Sequence, residues 1–151
     1  MTREGIATAL FDLLLTVPGV KTCSRKLKPK DEVNTLDMPA MFLTLGGWTP
    51  IQSIDGLPTI WKHEYLIYVL INNSDPYQAP STALNNIMDG IEEVLRPVSR
   101  FGPPGFPGTV QVLGDTTGRI RHAWVSGNVF ADEGVLGDLT LAVIPIEIEV
   151  A

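Results

Sequence analysis

The sequence predicts a single α+β domain: a mainly antiparallel sheet of about five strands with two helices packed on one of its faces. Three observations carry this. Two segments place apolar residues at helical spacing, at residues 6–17 and 84–95. Three others alternate or run apolar in strand fashion. The order α-β-β-β-α-β-β leaves most strands joined without a crossover helix, which favours antiparallel neighbours. A chain of 151 residues, 44% of them hydrophobic, fits one domain spanning residues 1–151 and can bury a core without a disulfide or a structural metal.

In chain order, Ile6, Leu10, Leu13, Leu14 and Val17 form one helical face, and Pro18-Gly19 ends the helix. Val20 to Leu27 reads as a strand. Lys28 to Pro39 is charged and aperiodic, hence an exposed loop. Ala40 to Leu45 reads as a strand interrupted by Gly46-Gly47, a pair that signals a bulge or a close backbone approach. The segment continues to a turn at Asp55-Gly56-Leu57-Pro58. From Thr59 to Ile71 a strand carries Trp61, His63, Tyr65, Ile67, Val69 and Ile71 on one face.

The second helix is the clearest element. Leu84, Ile87, Met88, Ile91, Val94 and Leu95 make the apolar stripe, Pro80 suits the first turn, and Pro97 stops it. Arg100 to Gly108 (RFGPPGFPG) is too rich in Pro and Gly for regular structure and reads as a surface loop. Strand segments follow in pieces from Thr109 to Phe130. A last strand, Leu139–Val150, sets Ala142, Ile144, Ile146, Ile148 and Val150 on one face opposite Glu147 and Glu149. Pro145 there favours a sheet edge or a bulge.

Composition excludes several functions. The formal net charge is −6, against general affinity for nucleic-acid phosphates. No apolar run approaches the roughly 20 residues of a membrane span. The stretch Ile6–Val17 is broken by Asp12 and reads as a domain helix rather than a leader, which places the chain in the cytoplasm. One cysteine, Cys23, precludes an intramolecular disulfide. Cys23 with His63 and His122 has no metal-ligand spacing, and a Cys–His nucleophile pair has no local support. In Gly102–Gly108 three prolines remove the N–H donors of a phosphate cradle. Asp132-Glu133-Gly134 with Gly137-Asp138 lacks the alternating ligands of a calcium loop and reads as an acidic hairpin turn. The expectation is a non-enzymatic chain without catalytic residues, cofactor or metal.

Charge is unevenly distributed. Five of the eleven basic residues are Lys21, Arg25, Lys26, Lys28 and Lys30, and five of the seventeen acidic residues lie between Asp132 and Glu149. Neighbours in a ring of identical subunits meet through unlike surfaces, so opposite-signed regions suit such a contact. Lys21, Arg25, Lys26, Lys28 and Lys30 on one side, with Asp132, Glu133 and Asp138 on the other, are therefore candidate subunit-interface residues. Trp48, Ile51 and Leu57, in the exposed-looking Gly46–Pro58 loop, are candidate partner-docking residues.

A series of features runs nearly end to end through the chain: Arg3-Glu4, Ile6, Ala9-Leu10-Phe11 and Leu13-Leu14, then Ser24-Arg25-Lys26-Leu27, Pro39-Ala40-Met41-Phe42 and Gly46-Gly47. It continues through Gly56-Leu57-Pro58 and Trp61, Ala83-Leu84-Asn85 with Ile87, Asp89 and Ile91, and closes on Asp132-Glu133-Gly134, Leu136-Gly137-Asp138 and Ile144-Pro145-Ile146. In this order, and not through any one feature, the chain resembles the tail-terminator (tail-completion) proteins of tailed bacteriophages, with the Arg100–Gly108 loop departing from the pattern. The resemblance implies a virion protein at the head-proximal end of the tail, assembled in the host bacterial cytoplasm. It implies a hexameric ring that caps the tail-tube protein, ends its polymerisation and meets the head-completion or neck proteins, while DNA passes through the channel without specific binding. The alternatives are another phage neck or tail-tube protein of similar fold, or a small-molecule-binding domain.

Overall fold

Two long apolar strands set the architecture, and the rest of the chain is arranged to cover them. The computed structural model describes residues 2–52, 55, 59–100, 108–133 and 137–151. Its elements are helix α1 (Arg3–Leu14), strands β1 (Thr22–Ser24), β2 (Ala40–Gln52) and β3 (Ile60–Asn72), helix α2 (Pro80–Leu95), and strands β4 (Val98–Arg100), β5 (Thr109–Gln111), β6 (Ile120–Val125), β7 (Phe130–Asp132) and β8 (Leu139–Val150). The main sheet has six strands in the order β1-β2-β3-β8-β6, with β7 also paired to β8, and β4-β5 form a separate ribbon. The α+β class holds, with a sixth strand and the ribbon added.

β3 and β8 pair antiparallel without a register break from Trp61↔Val150 to Asn72↔Leu139. Directly opposed residues share a face, so Tyr65, Ile67, Val69 and Ile71 line up with Ile146, Ile144, Ala142 and Thr140. This face is the floor of the main core, and both helices lie on it. Ile6, Ala7, Leu10 and Leu14 come from α1, and Leu84, Ile87, Ile91 and Leu95 from α2. Thr2 caps α1 by accepting a hydrogen bond from the Gly5 N–H at 3.0 Å. Beyond α1 the chain stays packed as far as Val17, which is buried.

Three features differ from the sequence reading. The first strand spans only Thr22–Ser24 instead of Val20–Leu27, and it pairs with β2 in parallel. A parallel pair needs a long return, and residues 25–39 supply it. That segment is not merely an exposed loop: it holds short 3₁₀ turns at Lys30–Glu32 and Thr35–Asp37. Val33 and buried Met38 pack with Ala40, Phe42 and Leu70 on the sheet face away from the helices. Second, β2 runs through Gly46-Gly47 to Gln52 with the register shift of a bulge between Leu45 and Gly47. A Cβ on Gly46 would stand 3.1 Å from the Glu64 carbonyl oxygen, so the glycine is both bulge and close approach. Third, Pro145 is mid-sheet, opposite Leu66, and not at an edge. Its carbonyl accepts from the Ser126 N–H on the outer side, where β6 has ended and β7 has not begun. A residue's N–H and C=O point the same way in a strand, so the donor that proline lacks falls in that gap.

Asp115 holds the approach to β6. It is 2% exposed and accepts hydrogen bonds from the Ile120 N–H at 2.9 Å and from the Thr117 N–H and hydroxyl. Burial acts to raise its pKa, but these donors outweigh it and hold the carboxyl below the ordinary aspartate range. The Asp55–Pro58 turn lies mostly, and the Arg100–Gly108 loop almost wholly, outside the described residues.

α2 approaches the end of α1 so closely that a Cβ on Gly90 would stand 2.8 Å from Val17 Cγ1. Val17 is β-branched and buried, so it cannot turn away. Alanine gains about 1 kcal/mol of helix propensity, whereas overpacking costs about 1–3 kcal/mol. Gly90→Ala is therefore expected to lower the unfolding free energy by about 1 kcal/mol in denaturant titration. An equal or more stable variant would contradict this packing.

Candidate functional site

Three surface regions carry the residues singled out by sequence. The basic run divides. Lys21, Arg25 and Lys26 stand at the β1 edge of the sheet, while the chain carries Lys28 and Lys30 onto the face away from the helices. Lys28 and Lys30 there rim a groove of about 370 Å³ whose apolar lining is Leu27, Tyr68, Leu70 and Leu141. Arg25 is partly committed, because its guanidinium holds the Glu4 carboxylate at the start of α1 through both nitrogens. This pair is exposed and adds little stability.

The acidic residues divide as well. Asp132 and Glu133 lie at the end of β7, four strand spacings or about 19 Å from β1, and Asp138 precedes β8, three spacings or about 14 Å from it. Glu147 and Glu149 are instead held within β8's outer face, facing Lys62 at 3.1 Å and Arg121 at 3.9 Å. Glu133 serves the fold directly, since its Oε1 accepts from the Ser81 N–H at 2.9 Å. Ala79, the residue preceding α2, offers no side-chain cap, so a carboxylate from another segment meets the positive end of that helix. The Asp138 carbonyl accepts from the Asn73 N–H at 2.8 Å, which ties the acidic turn to the segment between β3 and α2. That segment exposes Tyr77, at 96%. Sequence reasoning passed over Tyr77. The signal for it is Asp75-Pro76-Tyr77, in which the Asp75 carboxylate accepts from the Tyr77 N–H at 2.9 Å and fixes the turn.

The third region is the far end of β2, where Leu45, Trp48 and Ile51 are each about half exposed. Leu57 lies outside the described residues. Arg3, at the start of α1, joins this region to the helix layer. Its guanidinium carbon is 5.1 Å from the Trp48 ring centre and 5.2 Å from that of Trp61, a cation between two indoles. His63 meets Trp48 edge-on with ring centres 6.3 Å apart, and its buried Nδ1 has no hydrogen-bond partner among the described residues. Burial, then the neighbouring Arg3 charge, holds this imidazole below the ordinary histidine range.

Burial pushes the Cys23 thiol up to about 11, away from the thiolate a nucleophile needs. Among the described residues no three His, Cys, Asp or Glu side chains gather as a metal set. His122 stacks on Trp124, with ring centres 4.6 Å apart, on the outer strand β6. Among the described residues no helix is long and apolar enough to cross a membrane. What the arrangement presents is contact surface: a basic edge, a lysine-rimmed apolar groove, an acidic corner with an exposed tyrosine, and an aromatic strand end.

No family model and no curated protein matches the chain. A solved structure does: a chain of the "Virion of native gene transfer agent (GTA) particle" superposes with a TM-score of 0.55, covering 95% of this chain and 92% of that one at 13% identity. The two share a fold over essentially their whole lengths.

The His63 site gives a pH dependence with a definite sign. Its folded pKa is depressed, so on acidification the unfolded chain takes up the proton first. Stability is complete above the ordinary histidine value of about 6.5 and declines as pH falls from there toward the folded value. The melting temperature is expected to fall between pH 7 and pH 5, and to fall less in His63→Gln. Parallel curves for the two proteins would contradict the assignment.

Proposed function

We propose that this chain is a non-enzymatic virion protein that caps a tail tube, ends its polymerisation and joins the tail to the head-completion proteins, acting as a ring of six copies. The observation that carries the reading is the end-to-end fold shared with a chain of a gene transfer agent virion. The ordered sequence features of the tail-terminator resemblance support the finer assignment.

The surfaces suit the role. A ring contact is heterologous, and the chain carries Lys21, Arg25, Lys26, Lys28 and Lys30 on surfaces other than the corner that holds Asp132, Glu133 and Asp138. The half-exposed Trp48 and Ile51 are the anchors proposed to meet the tube or the head side. A net charge of −6 suits a channel that passes DNA without holding its phosphates.

A tail-tube subunit of the same fold is the competing reading, and tube growth separates the two. Labelled protein added to polymerising tube protein from the same particle is expected to shorten the tubes and to mark one end of each. Label incorporated along the tube wall would favour the tube subunit, and tubes of unchanged length without label would overturn the capping role.

A further inference from the structure

Resting on the ring reading, we propose that the contact between neighbours is a knob in a groove: Tyr77 of one copy seats in the groove formed by Leu27, Tyr68, Leu70 and Leu141 of the next.

Tyr77 is 96% exposed, the most exposed large apolar or aromatic side chain among the described residues. A tyrosine brings large apolar area and a polar tip for few lost rotamers, which makes it a strong interface anchor. The Asp75 carboxylate holds the backbone N–H of Tyr77, so the knob springs from a defined turn. Two carboxylates lie along its segment: that of Asp75 accepts from the Tyr77 N–H itself, and that of Glu133 from the Ser81 N–H four residues on.

The groove answers in both respects. At about 370 Å³ it has room for one aromatic side chain, its floor is apolar, and Lys28 and Lys30 stand at its rim. Neither lysine makes an ion pair among the described residues. The groove is on the sheet face away from the helices, while the knob stands in the segment between β3 and α2 with its side chain 96% exposed, so it does not fill the groove of its own copy. Tyr77 therefore meets the groove of a second copy, and each copy keeps one free knob and one free groove. Repetition of such a contact gives a ring if the rotation closes.

A complementation experiment tests this. One variant, Lys28→Glu with Lys30→Glu, retains the knob and loses the groove. The other, Asp75→Lys with Tyr77→Ser, retains the groove and loses the knob. All four positions are exposed, so both variants are expected to fold, as unchanged circular dichroism would verify. Wild type is expected to self-associate, with each variant weakened roughly thirtyfold or more, as for the loss of a hot spot. An equimolar mixture is expected to form a dimer of two 16.4 kDa chains, about 33 kDa, that grows no further. Variants that associate as wild type does would overturn the knob and groove while leaving the ring intact; the groove would then face another virion protein. A mixture that forms no dimer would also overturn it. Wild type that stays monomeric would overturn the contact as a self-association surface and leave the ring reading to the tube-growth assay.

Discussion

The pairing of β3 with β8 is the constraint on which the rest depends. Twelve consecutive register pairs join the two strands, and the helix-side face of that pair is buried almost throughout. A slip of β3 by one residue would turn Ile67 and Val69 out and bring Leu66 and Tyr68 in, and the same slip of β8 would exchange Ile144 and Ile146 for Val143 and Pro145. The apolar stripes of both helices need that face as their floor, so the register also fixes where α1 and α2 lie. The bulge at Gly46 and the split between β6 and β7 at Pro145 are accommodations made at the neighbours of this pair.

The surfaces follow from the topology. Because β1 runs parallel to β2, the chain between them must return across the sheet, and it does so on the face the helices leave open. That return seals part of the face with Val33 and Met38 and leaves the lysine-rimmed groove beside them. On the other side, the absence of a cap residue before α2 draws Glu133 to the helix start and gathers the acidic turn next to Tyr77. The two halves of the proposed contact thus arise where one sheet face and one helix end are completed.

Much of this was legible in the sequence, and the parts that were not share a cause. Leu84, Ile87, Ile91 and Leu95 announce α2, and the alternation through β3 and β8 identifies the buried face, because these signals are local and periodic. The parallel pairing of Thr22–Ser24 has no local signal: three half-buried residues read alike in either direction. Arg3 meets Trp48 and Trp61, which lie at least 45 residues away along the chain, so their cluster exists only once the sheet is assembled. The basic cluster was visible as composition, but its division between the β1 edge and the open face depends on the crossover. Glu147 and Glu149, counted among the acids by position, turn out to be occupied by Lys62 and Arg121.

On the proposed reading, the contact surfaces of unlike kinds serve repetition of one neighbour contact around a ring. The native mass of the purified protein, followed by light scattering across a concentration series, tests that claim most directly. A discrete species near six times 16.4 kDa, about 98 kDa, that grows no further is the predicted result. Open-ended growth in mass, or a monomer at every concentration, would contradict a ring that closes by its own contacts.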